Sequence, residues 1–554
     1  MPDTAKHEPS GQPSLAAPPA ESEPGRGKTR TIIIRSAWLA AALLAASLMS
    51  LHLGQDANWD LQNYHFYNPY AFINDRIDWD IAPAQLQSYH NPLLDLPFYW
   101  MVRADIRPQW IAVLLALPAG VAGFFLALSL EQLFSGLALA RWRLYAALAL
   151  LVGITGTAGV PLIGTTTNDW PPAMLIVISV WLLLRASQAE GAKRWWMIAF
   201  AGMLSGFAGG LKLTAALYAA SLCLALLVTL RPFRFHAIGC AAAFAASAAM
   251  GFLAASGFWL LRMYDRFGNP VFPYFNEWFR SPWWDLRPLE SGYGPHSLTE
   301  WFVFPFRLFR YNAGVVGELA FRDWRVPLVF VGAIAVIAML VLGRFWRTSF
   351  HGRLKVSWEW RFIVAFWFLS FLLWAALHSV YRYIIPLELF SGAMVIFLAV
   401  IGWPRKARLA VALGLTGLII AKTVYPGSWR IPFSQHFFAV DPPKLPKDSL
   451  VLLLEDAPLA YMIPFLDPSA RFIGATNNFN DPSHDNVLAR TVKSAIAQHT
   501  GPLFSLQFSK RVADAALRAY GLQRQGDGCT TVNTNMAVTT GSPQLCRLTR
   551  AGDR

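Results

Sequence analysis

The sequence predicts an all-α polytopic membrane bundle of about eleven transmembrane helices with a small C-terminal α/β domain. Three observations carry this expectation. Of the 554 residues, 55% are hydrophobic and only 14% are charged, against about 25% charged in ordinary soluble domains. Apolar runs of roughly 17–25 residues, the length that crosses a hydrocarbon layer, recur along the chain. Beyond about Ser428 the chain becomes less apolar, and short strand-like runs alternate with amphipathic stretches.

The first 30 residues are rich in Pro, Ser, Gly and charge, and predict a disordered tail. The apolar run that follows has no A-x-A cleavage site and reads as a retained first span. The runs lie at about Ala37–Leu53, Trp110–Leu130, Leu144–Gly164, Trp170–Leu184, Trp195–Leu211, Leu213–Leu230, Ala237–Leu261, Val326–Gly343, Phe362–Leu377, Tyr383–Trp403 and Leu409–Tyr425. Residues 31–427 thus form a membrane domain with two long loops, 52–109 and 262–325, and residues 428–554 a separate α/β domain. In that domain SLVLLL and PLFSLQF read as buried strands. HDNVLARTVKSAIAQH and KRVADAALRAYGL read as amphipathic helices, and CTTVNTN and QLCRLTR as paired strands.

Basic residues fix the expected orientation. Lys28, Arg30 and Arg35 precede the first run, and Arg141 and Arg143 the third. Arg185, Lys193 and Arg194 precede the fifth, Arg231 and Arg234 the seventh. Arg344, Arg347, Arg353, Lys355 and Arg361 precede the ninth, and Arg405, Lys406 and Arg408 the last. Every second loop is basic, which puts the N-terminus in the cytoplasm and both long loops and the C-terminal domain outside. The loop 262–325 breaks the charge rule with Arg262, Arg266, Arg280, Arg287, Arg307, Arg310, Arg322 and Arg325, a set suited to an anionic ligand. The net charge of +14 is accounted for by orientation; no basic soluble module points to nucleic acid. Cys223 and Cys240 lie in apolar runs as packing residues. Cys529 and Cys546 lie in the tail, where an oxidising compartment would allow a disulfide. No CxxC or Cys/His cluster suggests zinc.

Five stretches carry candidate chemistry. The first follows the first run: Asp56 and Asp60 are four apart, so a helix would turn both to one side, and Asn63, Tyr64, His65 and Tyr67 follow, then Asp80, Tyr89, His90 and Asn91. A carboxylate at the membrane boundary among aromatics suits proton abstraction from a hydroxyl; a solvated loop with interfacial aromatic anchors explains the same composition. In TTTNDWPPAM, Asp169 is a second active-site acid, a metal ligand or a helix N-cap. Lys212, in GFAGGLKLTAAL, interrupts two apolar runs and suits a phosphate oxygen, or else snorkels. In HSVYRYIIPLELF, Arg382 offers a forked donor set and Tyr383 adjoins it, while Glu388 within the run requires a nearby Arg or Lys. The aromatic segment after Gly268-Asn269-Pro270 reads as lying in the interface.

Together these features resemble the GT-C superfamily of integral-membrane glycosyltransferases, which includes the aminoarabinose transferases and the protein O-mannosyltransferases. The resemblance rests on Asp60, Tyr64 and Tyr67 after the first run, Tyr89-His90-Asn91-Pro92-Leu93 before the second, the Gly206, Gly210, Lys212, Thr214 segment and the Arg382, Tyr383, Pro386 segment. It departs where Leu61 replaces a common Glu and Asn91 replaces the first of two prolines. It implies inverting transfer of a sugar from a polyprenyl-phosphate donor to a glycan, lipid or protein acceptor at the periplasmic face of a bacterial inner membrane. Asp60 would be the base, with Asp56 as its substitute in the same loop. Tyr64, His65, Tyr67, Tyr89, His90, Asn91, Asp169, Lys212, Arg262, Arg266, Arg382 and Tyr383 would bind substrate. A divalent cation is left open, since the superfamily contains members of both kinds. An O-antigen polymerase or ligase, and a secondary transporter, are the alternatives.

Overall fold

The structure, a computed structural model, describes residues 24–552 apart from 138, 231–234, 287–292, 312–315, 317–318, 346–355, 428, 509 and 537–540. Arg231, Arg234, Arg287, Arg347, Arg353 and Lys355 therefore lie outside the described residues, as does the tail before residue 24. The first helix, α1 (Pro24–Leu53), already includes the last seven residues of the expected tail.

The membrane body is built from α1, α4 (Pro108–Ser135), α5 (Trp142–Ile154), α6 (Trp170–Ala186), α7 (Gly191–Leu211), α8 (Ala216–Thr229), α9 (Phe235–Phe267), α12 (Arg325–Phe345), α13 (Trp358–Leu377), α14 (Ile385–Gly402) and α15 (Arg408–Lys422). Each of the eleven apolar runs overlaps one of these helices. Among the described residues five helical stretches, 29–53, 108–135, 237–267, 358–377 and 381–402, are long and apolar enough to cross a membrane. The loop between α1 and α4 holds α2 (Tyr67–Ile73) and α3 (Leu96–Arg103), and the loop between α9 and α12 holds α10 (Asn276–Phe279) and α11 (Leu298–Arg307).

Two helices differ from the apolar runs in ways that matter for the site. The run Leu144–Gly164 is helical only to Ile154. Gly156, Gly159, Pro161 and Gly164 then break it into an irregular segment, because glycine and proline are poor helix formers. Between α7 and α8 the backbone of Lys212 is extended, with φ −143° and ψ 111°. The α7–α9 pair that supports Lys212 is unusually close. Gly202, Gly206 and Gly210 lie one turn apart and abut the carbonyls of Phe244, Ala248 and Phe252 of α9. A Cβ at Gly206 would collide with the Ala248 carbonyl. This is the small-residue contact by which apolar helices approach in lipid.

Beyond α1, Gly54 takes a left-handed conformation (φ 98°) and leads into β1 (Gln55–Asp56). That strand pairs antiparallel with β2 (Arg430–Ile431), which follows α15. The Arg430 guanidinium donates to the carbonyls of Gly54, Pro161, Ile163 and Gly164. The chain leaving the last membrane helix is thereby clasped to the loop leaving the first.

The C-terminal domain is α/β. Strands β4 (Leu450–Leu453), β5 (Arg471–Gly474) and β6 (Leu503–Gln507) are parallel; β7 (Leu522–Thr531) and β9 (Gln544–Arg550) are antiparallel, in the order β5-β4-β6-β9-β7. The small pair β3 (Val440–Asp441) and β8 (Asn533–Thr534) lies beside it. Helices α16 (Val487–Gln498) and α17 (Lys510–Ala519) supply the crossovers. Cys529 and Cys546 stand opposite each other on β7 and β9, with Cα atoms 4.1 Å apart, and are bonded.

This domain does not have a core of its own. Ile77, Ile81, Tyr89 and Phe98 of the loop 52–109 share one apolar cluster with Leu450, Val451, Phe472 and Phe479. Ile81 bridges Ile473 in parallel register at the free edge of β5. The loop and the tail are one body, although about 320 residues separate them.

Candidate active site

Asp60 has helical backbone angles (φ −62°, ψ −40°) at the start of a wide helical turn, Leu61–His65, while Asp56 is in β1. The two acids consequently have different surroundings. Asp56 accepts from the Asn58 amide side chain (2.8 Å) and from the Thr166 backbone N–H (2.8 Å) and hydroxyl (2.9 Å). It ties the loop to the irregular segment after α5. Asp60 instead forms an ion pair with Arg382, Oδ2 to Nη1 2.5 Å. Burial pushes the Asp60 carboxyl up, but Arg382, His65 and Lys212 together outweigh it and hold the group below the usual range.

Arg382 lies in a single turn, Tyr381–Ile384, that opens α14. Its guanidinium sits over the Tyr383 ring, 5.3 Å from the centroid, and Lys212 Nζ sits 5.2 Å from the same ring. Lys212 reaches from the end of α7 to Asp169 Oδ1 (2.5 Å) and the Thr167 carbonyl (2.8 Å). Asp169 occupies the N-cap position of α6, yet its side chain makes no capping hydrogen bond; the lysine has taken it. Asp169, Lys212, Arg382 and Tyr383 line a void of about 20 Å³. Two buried polar atoms of this group, Asp169 Oδ2 and Arg382 Nε, have no hydrogen-bond partner. A space of that size beside an orphan acceptor and an orphan donor suits one oxygen atom.

A larger cavity of about 500 Å³ adjoins it. Asp56, Asp60, Trp59, Thr165, Thr167, Arg382 and Tyr383 line it, together with Trp429 and Asn478 from the chain beyond α15. That volume is in the range of small-molecule sites.

Three more of the expected residues pack beside Asp60. His65 Nδ1 contacts Asp95 Oδ1 at 2.7 Å, and Asn168 holds the same carboxylate; His65 Nε2 is buried without a partner. Tyr64 packs against His65 with the rings tilted (centroids 4.0 Å apart) and meets His90 edge-on (5.2 Å). Burial, then Asp60, pushes the Tyr64 hydroxyl well above its ordinary value. His90 Nε2 contacts the Tyr274 hydroxyl at 2.9 Å, and burial pushes its pKa down to about 4, so the ring is neutral near pH 7.

The remaining expected residues lie elsewhere. Tyr67 donates to Asp80 (2.9 Å), whose carboxylate is gripped by Arg76 and by the Phe472 backbone N–H; this group docks the loop on the C-terminal domain. The Tyr89 ring packs among Phe267, Phe272 and Phe479. Asn91 donates to the Gly210 and Ala255 carbonyls, stapling the loop to α7 and α9. Arg262 and Arg266 both pair with Asp78. None of these five lines the cavity.

The arginine expected near Glu388 is Arg325, which interacts with it electrostatically without bonding to it. The backbone N–H groups of Ala158 and Gly159 hold its two oxygens at 2.9 and 2.8 Å. The buried Arg325 is paired with Asp323 instead, at 2.6 Å. Sequence reading missed Asp95, Asn168, Trp429, Arg430 and Asn478. The i-to-i+30 spacing of His65 and Asp95 carries no local signal, and the other residues belong to segments that become neighbours only in the fold.

Among the described residues no group of three or more His, Cys, Asp or Glu is placed to hold a metal ion. Asp60 and Asp169 are each matched to a cation, so this donor set does not fit a divalent metal.

No family model and no curated protein matches the chain. Among solved structures it is similar to ArnT from Cupriavidus metallidurans bound to undecaprenyl phosphate (13% identity, TM-score 0.48, 92% of this chain and 97% of that one). It is also similar to the oligosaccharyltransferase of Archaeoglobus fulgidus in the apo form (14%, 0.45, 85% and 69%). A third is AglB of the same organism with an inhibitory peptide and a dolichol-phosphate (13%, 0.43, 87% and 71%).

Proposed function

We propose that the chain is an inverting glycosyltransferase that takes a sugar from a polyprenyl-phosphate donor at the outer face of a bacterial inner membrane. The observation that carries this reading is the contact of Asp60 with Arg382 at the mouth of a cavity, with Lys212 and Asp169 in the adjoining void. An acid able to take a proton and two cations able to bind phosphate thus meet at the ends of α7 and α14. The order of motifs that resembles GT-C enzymes supports the same assignment.

In this mechanism the donor's phosphate enters beside Arg382 and Lys212. It draws the guanidinium toward itself and loosens the ion pair to Asp60. Losing its partner makes Asp60 a stronger base just as the donor arrives. Asp60 then accepts the proton of the acceptor hydroxyl, and the freed oxygen attacks the anomeric carbon. The bond from that carbon to the phosphate oxygen breaks, and its electron pair leaves with the polyprenyl phosphate. Arg382 and Lys212 stabilise that charge as it forms. Asp169 keeps Lys212 extended toward the void, and Asp95 fixes His65 beneath Asp60.

Membranes carrying the chain should transfer radiolabelled sugar from a polyprenyl-phosphate sugar to endogenous acceptor. Asp60→Asn should abolish transfer while insertion and abundance stay unchanged. Activity near wild type in that variant would remove Asp60 from the mechanism.

A further inference from the structure

The turn after β5 is built to offer one side chain. Asn477 Oδ1 accepts from the backbone N–H groups of Phe479 (2.9 Å) and Asn480 (2.8 Å). Asn480 is buried and donates to the Gly474 and Ala475 carbonyls. Phe479 is buried and stacks on Trp284 at 4.1 Å. Three of four residues are thus anchors. The fourth, Asn478, is exposed and lines the cavity that contains Asp60.

Trp59 and Trp429 line the same cavity, and Trp429 is 44% exposed. The two segments are tied together, the Ala57 N–H donating to the Trp429 carbonyl at 2.9 Å. Among the described residues the charged groups of the lining are Asp56, Asp60, Arg382 and Arg430. Asp56 is satisfied by Asn58 and Thr166, and Arg430 by four carbonyls. Asp60 and Arg382 are matched to each other. Among the described residues the rest of the wall is indole, amide, hydroxyl and apolar side chain, with no charge left for a second ionic ligand.

We propose that this part of the cavity is an acceptor subsite for an uncharged carbohydrate. Trp59 and Trp429 cover the apolar C–H face of a pyranose, since aromatic faces are electron-rich and attract polarised C–H bonds. Asn478, with two donors and an acceptor, hydrogen-bonds its hydroxyls. An anionic acceptor would be left unpaired there, and a burial cost would exclude it. This assignment deepens the transferase reading and rests on it for the word acceptor, but binding can be measured without transfer.

The test uses the full chain in lipid nanodiscs without donor. Saturation-transfer NMR would be run with methyl glycosides of glucose, galactose, mannose and N-acetylglucosamine, with a methyl uronate glycoside in its ionised form and a capped Ser-containing tripeptide as competitors. At least one neutral glycoside should bind. Asn478→Ala and Trp429→Ala should each weaken it about five- to tenfold, while Gly191→Asn, at an exposed position outside the cavity lining, leaves it within twofold. Truncating Asn478 leaves the anchors of its turn intact, and melting of each variant checks that the domain is folded. Preference for the uronate or the peptide, no binding of any neutral glycoside, or unchanged affinity in both variants would overturn the proposal. Asn478-dependent glycoside binding in a protein that never transfers sugar would sink the transferase reading alone.

Discussion

Arg382→Gln separates the two jobs assigned to the guanidinium. Its nitrogen lies 2.5 Å from Asp60 Oδ2, and the two side chains are 28% and 10% exposed. At an effective dielectric of about 20, that contact amounts to about 7 kcal/mol of attraction before desolvation is counted. Removing one partner of such a pair costs about 3 kcal/mol, the low end of the range for buried pairs, because the arginine keeps some water. The same substitution removes a donor to the leaving phosphate, a loss of about 10²–10³ in rate. The pH dependence then follows in sign. Burial, the largest influence on Asp60, favours the neutral acid, and Arg382 is its chief opponent. Without the arginine the carboxyl rises, so it becomes protonated at a higher pH than in the wild type. The acid limb of kcat/KM, which reports groups of the free enzyme, should move to higher pH. Initial rates of sugar transfer from a radiolabelled polyprenyl-phosphate sugar, measured between pH 4 and 8, read both effects. A variant within threefold of wild type, or one whose acid limb stays put or moves down, would refute the reasoning.

Three further outcomes are expected. Cys529→Ser with Cys546→Ser opens a loop of 17 residues and should destabilise the C-terminal domain by about 3 kcal/mol, read as a lower melting temperature that matches the reduced wild type. Gly206→Leu should separate α7 from α9 and sharply reduce folded protein in membranes, whereas the exposed Gly191, with open space around its Cβ position, should tolerate Asn. Because His90 titrates near pH 4 when folded and near 6.5 when unfolded, the unfolded chain takes up the proton first. Stability should be full above about pH 6.5 and fall toward pH 4, and His90→Gln should flatten that slope in thermal melts.

The membrane body was legible because an apolar run of span length has few other uses, and its helices, apart from the start of α1 and the end of α5, begin and end near the run boundaries. The strands and helices of the tail were legible for a similar reason: periods of two and 3.6 survive in a single sequence. Lys212 and Arg382 stood out because charge beside apolar runs is costly. Asp60 and Asp56 looked equivalent since spacing alone cannot tell a strand from a turn; hydrogen bonding to Thr166, over a hundred residues away, is what separates them. Arg262 and Arg266 read as free cations because their partner, Asp78, lies nearly 190 residues earlier. Asn91 read as a ligand because the carbonyls it binds belong to helices that meet only in three dimensions. Asn478 carried no signal, being one polar residue in a polar turn.

The apolar cluster shared by the loop 52–109 and the C-terminal domain has a consequence for biosynthesis. Residues 52–109 leave the ribosome early, but the strands they pack against are among the last to be made. At about 5–20 residues per second, the loop waits on the order of half a minute with Ile77, Ile81 and Phe98 uncovered. This cluster is therefore completed only late in synthesis. A nascent chain stalled before residue 450 should present an open, protease-sensitive first loop that closes only when synthesis resumes.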